Sequence, residues 1–358
     1  MQDNVAKASN RRYVIVAAIV LFIALGGVFY FYPSVKSGSK SVKAKEAKVY
    51  ELSLAHNMPP GSAIGIAAQK FVDTVRDKTN GSVKINIATI QQLGDDYAMI
   101  SMALDGQLDI LLSPTTKLSM VHPALQYADI PFLFPHIEDA YAMLDGRVGR
   151  LLLEGLGKAG LIGVAFWGNG FKQFIATRPV LSPKDFDGMK VRVKNNNIAA
   201  EQFTAFGAQP VPTDVYKSYE ALKSRAIDAQ ENSVADLYAL KLYEVASHLT
   251  MSNHGYRAYV FCFSKNVLER LPDDIVQVLI TTAMELTSFE RELVARQEED
   301  YIKAMKEAGV NVIYLNEQQT DAFKNATSHI INKYRTIVGE DVIAMTQEYI
   351  RQKYTTGE

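Results

Sequence analysis

Residues 272–308 read PDDIVQVLITTAMELTSFERELVARQEEDYIKAMKEA, and after the opening proline the stretch holds neither proline nor glycine. Proline costs a helix interior roughly 3 kcal/mol and glycine about 1, so a run this long without either predicts one very long helix. Ile275, Val278, Leu279 and Ala283 fall in phase along it. At ~1.5 Å rise per residue such a helix is ~50 Å long, more than a typical domain is wide. It should therefore run across two lobes. A chain of 358 residues also exceeds the size at which one core usually stops growing.

Upstream lie two separate runs of strands and helices. In the first, Glu51–Ala55 alternates as a strand, and Pro59-Pro60-Gly61-Ser62 makes a turn into a helix. Ile64, Ala67, Ala68, Phe71, Val72 and Val75 carry the helical period, stopped by Asn80-Gly81. Val83, Ile85 and Ile87 form a second strand, Asp95–Leu104 a short helix and Leu108–Leu112 a third strand. This β-α-β-α-β order predicts a mostly parallel sheet with helices on its faces, an α/β fold. In the second run, Leu161–Phe166 and Lys172–Thr177 read as strands. Met189–Lys194 alternates, with Met189, Val191 and Val193 on one face and Lys190 and Arg192 on the other. Asn197–Phe206 and Asp214–Ser224 read as helices, Ile227–Gln230 as a strand, and a further helix runs from Val234 to about Val245.

Composition excludes several classes. Hydrophobic residues are 48% and charged residues 22%, close to globular averages, and 38 basic side chains face 39 acidic ones. A nucleic-acid binder normally shows a basic excess, so none is expected as a partner. Cys262 is the only cysteine, which rules out an intramolecular disulfide and a thiolate zinc cluster. Between Phe261 and Phe263 it reads as a small buried hydrophobe. There is no zinc-protease His-Glu-x-x-His, no Walker loop and no Gly-x-Ser-x-Gly elbow. Gly168-Asn169-Gly170 lacks the third glycine of a dinucleotide site, and the six histidines are scattered. No catalytic residue, metal or cofactor is expected, and the missing motifs make an enzyme the less favoured reading.

The N-terminus carries a compartment signal. Tyr13–Tyr32 is an almost unbroken apolar run preceded by Lys7, Arg11 and Arg12. As a helix it would span roughly 30 Å, the thickness of a bilayer core, with the basic end in the cytoplasm and the rest exported. Its aromatic end, Phe29-Tyr30-Phe31-Tyr32-Pro33, is a poor cleavage site, so residues 1–33 read as a signal-anchor in the inner membrane, or else as a removed signal peptide. Residues 34–48 form a Ser/Gly/Lys/Ala-rich linker.

Seven stretches stand in one order along the exported part. They are Leu54-Ala55-His56-Asn57 with Gln92-Leu93-Gly94-Asp95; Asp129-Ile130-Pro131-Phe132-Leu133-Phe134; Trp167-Gly168-Asn169-Gly170-Phe171-Lys172-Gln173; Gly188-Met189-Lys190-Val191-Arg192-Val193; Ile227-Asp228-Ala229-Gln230-Glu231-Asn232; and Ser252-Asn253-His254-Gly255-Tyr256. Together they resemble the solute-binding proteins of tripartite ATP-independent periplasmic (TRAP) transporters, DctP type, especially those that bind C4-dicarboxylates. The resemblance runs from about Tyr50 to Lys353.

It implies a two-lobe periplasmic-binding-protein fold with a central cleft, the lobes joined by crossing strands and by the long helix. Lobe I would comprise residues 49–168 and 258–297, and lobe II residues 169–257 and 298–358. The implied role is periplasmic capture of a small organic acid and its delivery to TRAP membrane permease subunits. By the same resemblance Arg192 pairs with the ligand carboxylate, Asn232 hydrogen-bonds the ligand, and Lys172 and Lys117 add positive charge. His56, Asn57, Trp167, Tyr216 and Tyr256 are further candidates for the cleft lining. Ser233 stands where the family usually has proline, and Lys172 where the sialic-acid-binding branch has arginine, so sialic acid is not expected. A tethered binding protein serving a sensor is the alternative on the same cleft. A membrane-anchored hydrolase would need a base or nucleophile beside Arg192, and none stands out.

Overall fold

The computed structural model describes residues 48–88, 90–194 and 197–355. The segment read as a signal-anchor or signal peptide, and linker residues 34–47, lie outside the described residues. Among those described, no helix is long and apolar enough to cross a membrane.

Nine strands form one sheet: β1 (Tyr50–His56), β2 (Val83–Ala88), β3 (Ile110–Pro114), β4 (Leu161–Ala176), β5 (Lys190–Val193), β6 (Gln209–Pro212), β7 (Ala229–Ser233), β8 (His248–Ser264) and β9 (Asn311–Tyr314). Their order is β2-β1-β3-β8-β4-β7-β5-β6, with β9 on β8. The β1–β3 unit is parallel as expected from its β-α-β-α-β pattern, and β5 pairs in parallel with β6 and β7. The two stretches read as separate strands, Leu161–Phe166 and Lys172–Thr177, are one strand, β4. It lies antiparallel to the 17-residue β8 and passes with it from one lobe into the other. Register shifts at Gly168/Phe171 and Lys172/Phe174 mark the crossing. Gly170 adopts φ +77° there, a conformation that only glycine takes without strain. Gln173 pins the opposite side: its Oε1 accepts from the N–H groups of Ser252 and Asn253 at 2.7 and 2.9 Å.

Because successive strand residues point to opposite faces, each lobe has two apolar layers. In lobe I, Phe261 and Trp167 pack with Phe71 and Leu279 on one face, while Val260 and Phe166 join Met99, Tyr127 and Leu144 on the other. In lobe II, Phe174 enters an aromatic cluster with Phe186, Phe203, Phe206 and Phe323, and its neighbour Ile175 packs with Leu222, Leu237, Leu249 and Met305 on the far face. The C-terminal helices, Glu317–Val338 and Glu340–Thr355, touch both cores. Phe323 lies in lobe II's aromatic cluster, and Ile330, Tyr334, Val338, Val342 and Ile343 lie in the core with Tyr127. Two shorter expectations need trimming. The Asp214–Ser224 segment is a 3-10 turn, Val215–Lys217, followed by Ser218–Lys223, and the helix from Val234 ends at Ala239.

The long helical segment spans both lobes, but in two pieces. Asp273–Glu285 and Thr287–Glu307 meet at Leu286. At the joint the Trp167 indole N–H donates to the Ala283 carbonyl at 3.3 Å, a long-range contact on the group that a continuous helix pairs with the Thr287 N–H. Beyond the joint, Gln297 donates to the Gly61 carbonyl of lobe I at 2.9 Å, and Tyr301 stacks on Tyr238 of lobe II with ring centroids 4.4 Å apart.

Glu290 on this helix is fully buried at the crossing, with Oε2 accepting from the Gly168 N–H at 3.1 Å and Oε1 without a partner among the described residues. Burial pushes its carboxyl up to about 8. In the unfolded chain the same group loses its proton near pH 4.3, so from there to about pH 8 the folded state holds more protons and stability falls as pH rises. Glu290→Gln keeps an acceptor for Gly168 and removes the charge. It should stabilise the fold by about 2–4 kcal/mol at pH 9 and hardly at all at pH 4, read from urea unfolding at the two pH values.

Candidate functional site

Strand β5 places Arg192 by simple alternation. Val191 and Val193 point into the lobe II aromatic core, so Arg192 points to the opposite face of the sheet. It is only 4% exposed. Its Nε donates to the Thr213 carbonyl at 2.8 Å, which fixes the plane of the guanidinium. Nη1 is buried with no partner among the described residues. Burial, reinforced by the nearby Arg257 and opposed by Glu231, lowers its pKa to about 10. A fixed guanidinium with an open N–H is one half of a fork that a carboxylate completes.

Lys194, two residues further, shares the Arg192 side of the strand. Its Nζ is also buried and unpartnered among the described residues, and burial together with Arg257 and Lys172 drives its pKa well down. Arg257 on β8 is the third cation. Its Nε donates to Asp236 of lobe II at 3.0 Å and its Nη1 to Thr116 Oγ1 of lobe I at 3.3 Å, so this one side chain links the lobes.

Lys172 occupies a different environment from Arg192. It is buried between two carboxylates, bonded to Asp129 and 3.4 Å from Glu231 Oε1. The second Glu231 oxygen lies 2.6 Å from His254 Nε2 and 3.3 Å from Gln202 Nε2. Burial alone would raise the Glu231 pKa, but Lys172 and His254 hold it well below the usual carboxylate range. Asn232 is buried on β7 and its Oδ1 accepts from the Ser233 N–H at 3.1 Å. The cap of the following helix is Ser233: its hydroxyl accepts from the Asp236 N–H at 3.3 Å and from Asn169 Nδ2 at 2.9 Å.

On the lobe I side, Lys117 Nζ lies 3.8 Å from Asp96 Oδ2 and over the Tyr97 ring, 4.2 Å from its centroid. His56 accepts from the Met58 N–H through Nδ1 at 3.3 Å, and burial lowers its pKa to about 4, so it is neutral. Asn57 accepts from the Tyr259 hydroxyl at 3.0 Å. Tyr216 is half exposed, its hydroxyl pushed up to about 12 by burial and by Asp96. Trp167 and Tyr256 sit in packing positions. Trp167 meets Phe261 edge-on in the lobe I core, and Tyr256 is enclosed by Phe134, Tyr141 and Phe171.

Lys194, Arg257, Asp96 and the Asp129–Glu231 pair are the functional groups that sequence reading missed. The alternation that singled out Arg192 also points to Lys194, whereas Asp129 and Glu231 stand inside two of the quoted motifs without any local sign that they meet. Among the described residues no group of histidine, cysteine or acidic side chains could hold a metal.

Removing one partner of a buried charge pair strands the other, typically at 3–5 kcal/mol. Lys172→Met should therefore lower unfolding stability by about that much, seen as a lower urea midpoint in ligand-free protein.

Two lobes on a shared sheet, with buried cations that lack a partner among the described residues, fit a binding protein for an anion. The chain belongs to the bacterial extracellular solute-binding proteins of family 7, whose family model matches residues 54–336. It is 34% identical to the 2,3-diketo-L-gulonate-binding periplasmic protein of Escherichia coli, over 77% of this chain and 83% of that one. Among solved structures it is similar to a TRAP periplasmic solute-binding protein of Sulfurospirillum deleyianum with bound succinate (TM-score 0.78, 29% identity, 84% of this chain and 99% of that one). It is also similar to the sugar-acid-binding protein of Advenella mimigardefordensis in complex with galactonate (TM-score 0.79, 28% identity, 85% and 98%). The chain is thus a TRAP-type solute-binding protein for a carboxylate.

Proposed function

We propose that this protein captures a small organic acid outside the cytoplasmic membrane and passes it to TRAP membrane permease subunits, without chemical turnover. The observation that carries the reading is Arg192: a buried guanidinium held by Thr213 with Nη1 open. The ligand carboxylate would complete that fork, with Asn232 as a second polar contact and Lys172 holding the local frame. Residues 49–168 with 258–297, and 169–257 with 298–358, would be the bodies that close, except that Ile330, Tyr334, Val338, Val342 and Ile343 pack in the first body's core and would move with it; Arg257 would span the gap. Closure excludes water and strengthens each charged hydrogen bond. The relatives bind acids with one carboxylate and several hydroxyls, such as galactonate, and acids with two carboxylates, such as succinate. An apolar Tyr13–Tyr32 helix, if retained, would tether the cleft to the inner membrane. Cell fractionation with mass spectrometry of the mature N-terminus distinguishes a tether from a removed signal.

Arg192→Ala should weaken the tightest acid found in a thermal-shift screen by at least about 2 kcal/mol, roughly thirtyfold, and Arg192→Lys should not restore it, because a point charge lacks the fork. Calorimetry checks both. Wild-type affinity in a folded Arg192→Ala protein would place the carboxylate elsewhere.

A further inference from the structure

The buried Glu290 at the crossing plays no part in holding an acid, and it has a companion. Glu290 and Glu298 lie on one stripe of the Thr287–Glu307 helix, with the buried Val294 between them. Both meet the glycines at which β4 passes between lobes. Glu290 Oε2 accepts from the Gly168 N–H at 3.1 Å. A β-carbon at Gly170 would stand 2.5 Å from Glu298 Oε2, so only a bare glycine lets that carboxyl approach the strand. Between these two contacts the β4–β8 register shifts and Gly170 takes φ +77°. The backbone that must flex when the lobes move is thus bracketed by two carboxyls from one helix.

Neither carboxyl has a cation to itself among the described residues. Arg291, next to Glu290, is held by Asp145 through both Nη atoms at 2.6 and 2.7 Å and donates to the Phe166 carbonyl at 3.1 Å. From the Ala63–Lys78 helix, Arg76 pairs with Asp73 and Asp77, and Lys78 with Glu285. From the Val234–Ala239 helix, Asp236 is taken by Arg257. Tyr141 and Tyr256 face the same side, and burial with Glu290 nearby keeps both hydroxyls protonated, Tyr141 up to about 12. Glu138 and Glu299 add only negative charge. Burial pushes the Glu290 carboxyl up to about 8, and burial with Glu299 pushes Glu298 up to about 7. Packed in this way, the crossing carries both groups neutral below about pH 7. A glutamate in water ionises near pH 4.3. Any arrangement that admits water to the two carboxyls therefore releases protons, and it gains on the packed one as pH rises towards 8.

We propose that Glu290 and Glu298 form a proton-controlled hinge: protonated, they seal the helix against Gly168 and Gly170 and hold the inter-lobe angle; ionised, they draw water into the crossing and let that angle change. The inference rests on the reading of capture as closure of two lobes. It adds a control at a place the acid does not touch.

Pulsed electron paramagnetic resonance on the full chain tests it, with spin labels on the exposed Lys70→Cys of lobe I and Lys223→Cys of lobe II. Cys262 is fully buried and stays unlabelled. Without ligand, the mean label distance should differ by more than about 2 Å between pH 6 and pH 9, the scale of a hinge movement. Glu290→Gln with Glu298→Gln should remove the difference. A role in stability alone would move the urea midpoint with pH and leave the distance where it is. An unchanged wild-type distance, or a shift that survives in the double variant, overturns the inference. Should the double variant not fold, Glu298→Gln alone must shrink the shift. Saturating succinate or D-galactonate at pH 6 separates the two readings. A distance that answers to either acid but not to pH leaves lobe closure standing, and one that answers to neither overturns both.

Discussion

Lys172 Nζ lies between Asp129 and Glu231, and much of the molecule is arranged around that buried charge. Lysine 172 sits on β4, Glu231 on β7 and His254 on β8, while Asp129 comes from lobe I, so one cluster ties three strands and both lobes at the crossing. A buried ammonium is tolerable only if its partners are fixed, and the surrounding fold fixes them. Phe174 stacks flat on His254 at 4.1 Å, holding the imidazole against Glu231, and the Phe132 N–H donates to the His254 carbonyl at 2.8 Å. Replacing any member of this group disturbs the floor on which Arg192, Lys194 and Arg257 stand.

Two kinds of buried charge therefore occur here: Lys172 is paired with its acids, whereas Arg192 Nη1 and Lys194 Nζ have no partner among the described residues. Burial weakens the hold of these two cations on their protons, and an incoming anion reverses that by replacing the lost water with its own oxygens. Arg257 differs because it is already bonded to Asp236 and Thr116, one on each lobe. Those two bonds tie residues far apart in sequence before any ligand arrives.

Local patterns revealed the parts that obey local rules. The β1–β3 unit, the helix with Ile64 and Phe71, and the placement of Arg192 opposite Val191 and Val193 all follow from period and capping. Features decided at long range stayed hidden. The Trp167 contact beside the helix joint could not be read locally, since its acceptor Ala283 lies 116 residues further along the chain. The 17-residue β8 shows no clean alternation because it is buried on both faces and turns at Asn253, where φ is +49°. The Lys172 pairing could not be read locally, since its acids lie 43 and 59 residues away in sequence. Strand β6 was obscured by its own residues: Pro210 and Pro212 argue against a strand.

Those two prolines have a consequence for how the molecule behaves in a crowded compartment. β6 ends the sheet, and a free edge is a template on which another chain can add itself. In a parallel pair alternate residues turn their N–H groups inward. Gln209 and Thr213 donate to the carbonyls of Met189 and Val193, so Pro210 and Pro212 hold the outward positions. Proline lacks the donor, and the rim offers carbonyls without the N–H groups a docking strand would need. Sheet growth from this side, and with it aggregation through the lobe that carries Arg192, is blocked by two residues that cost the inward ladder nothing.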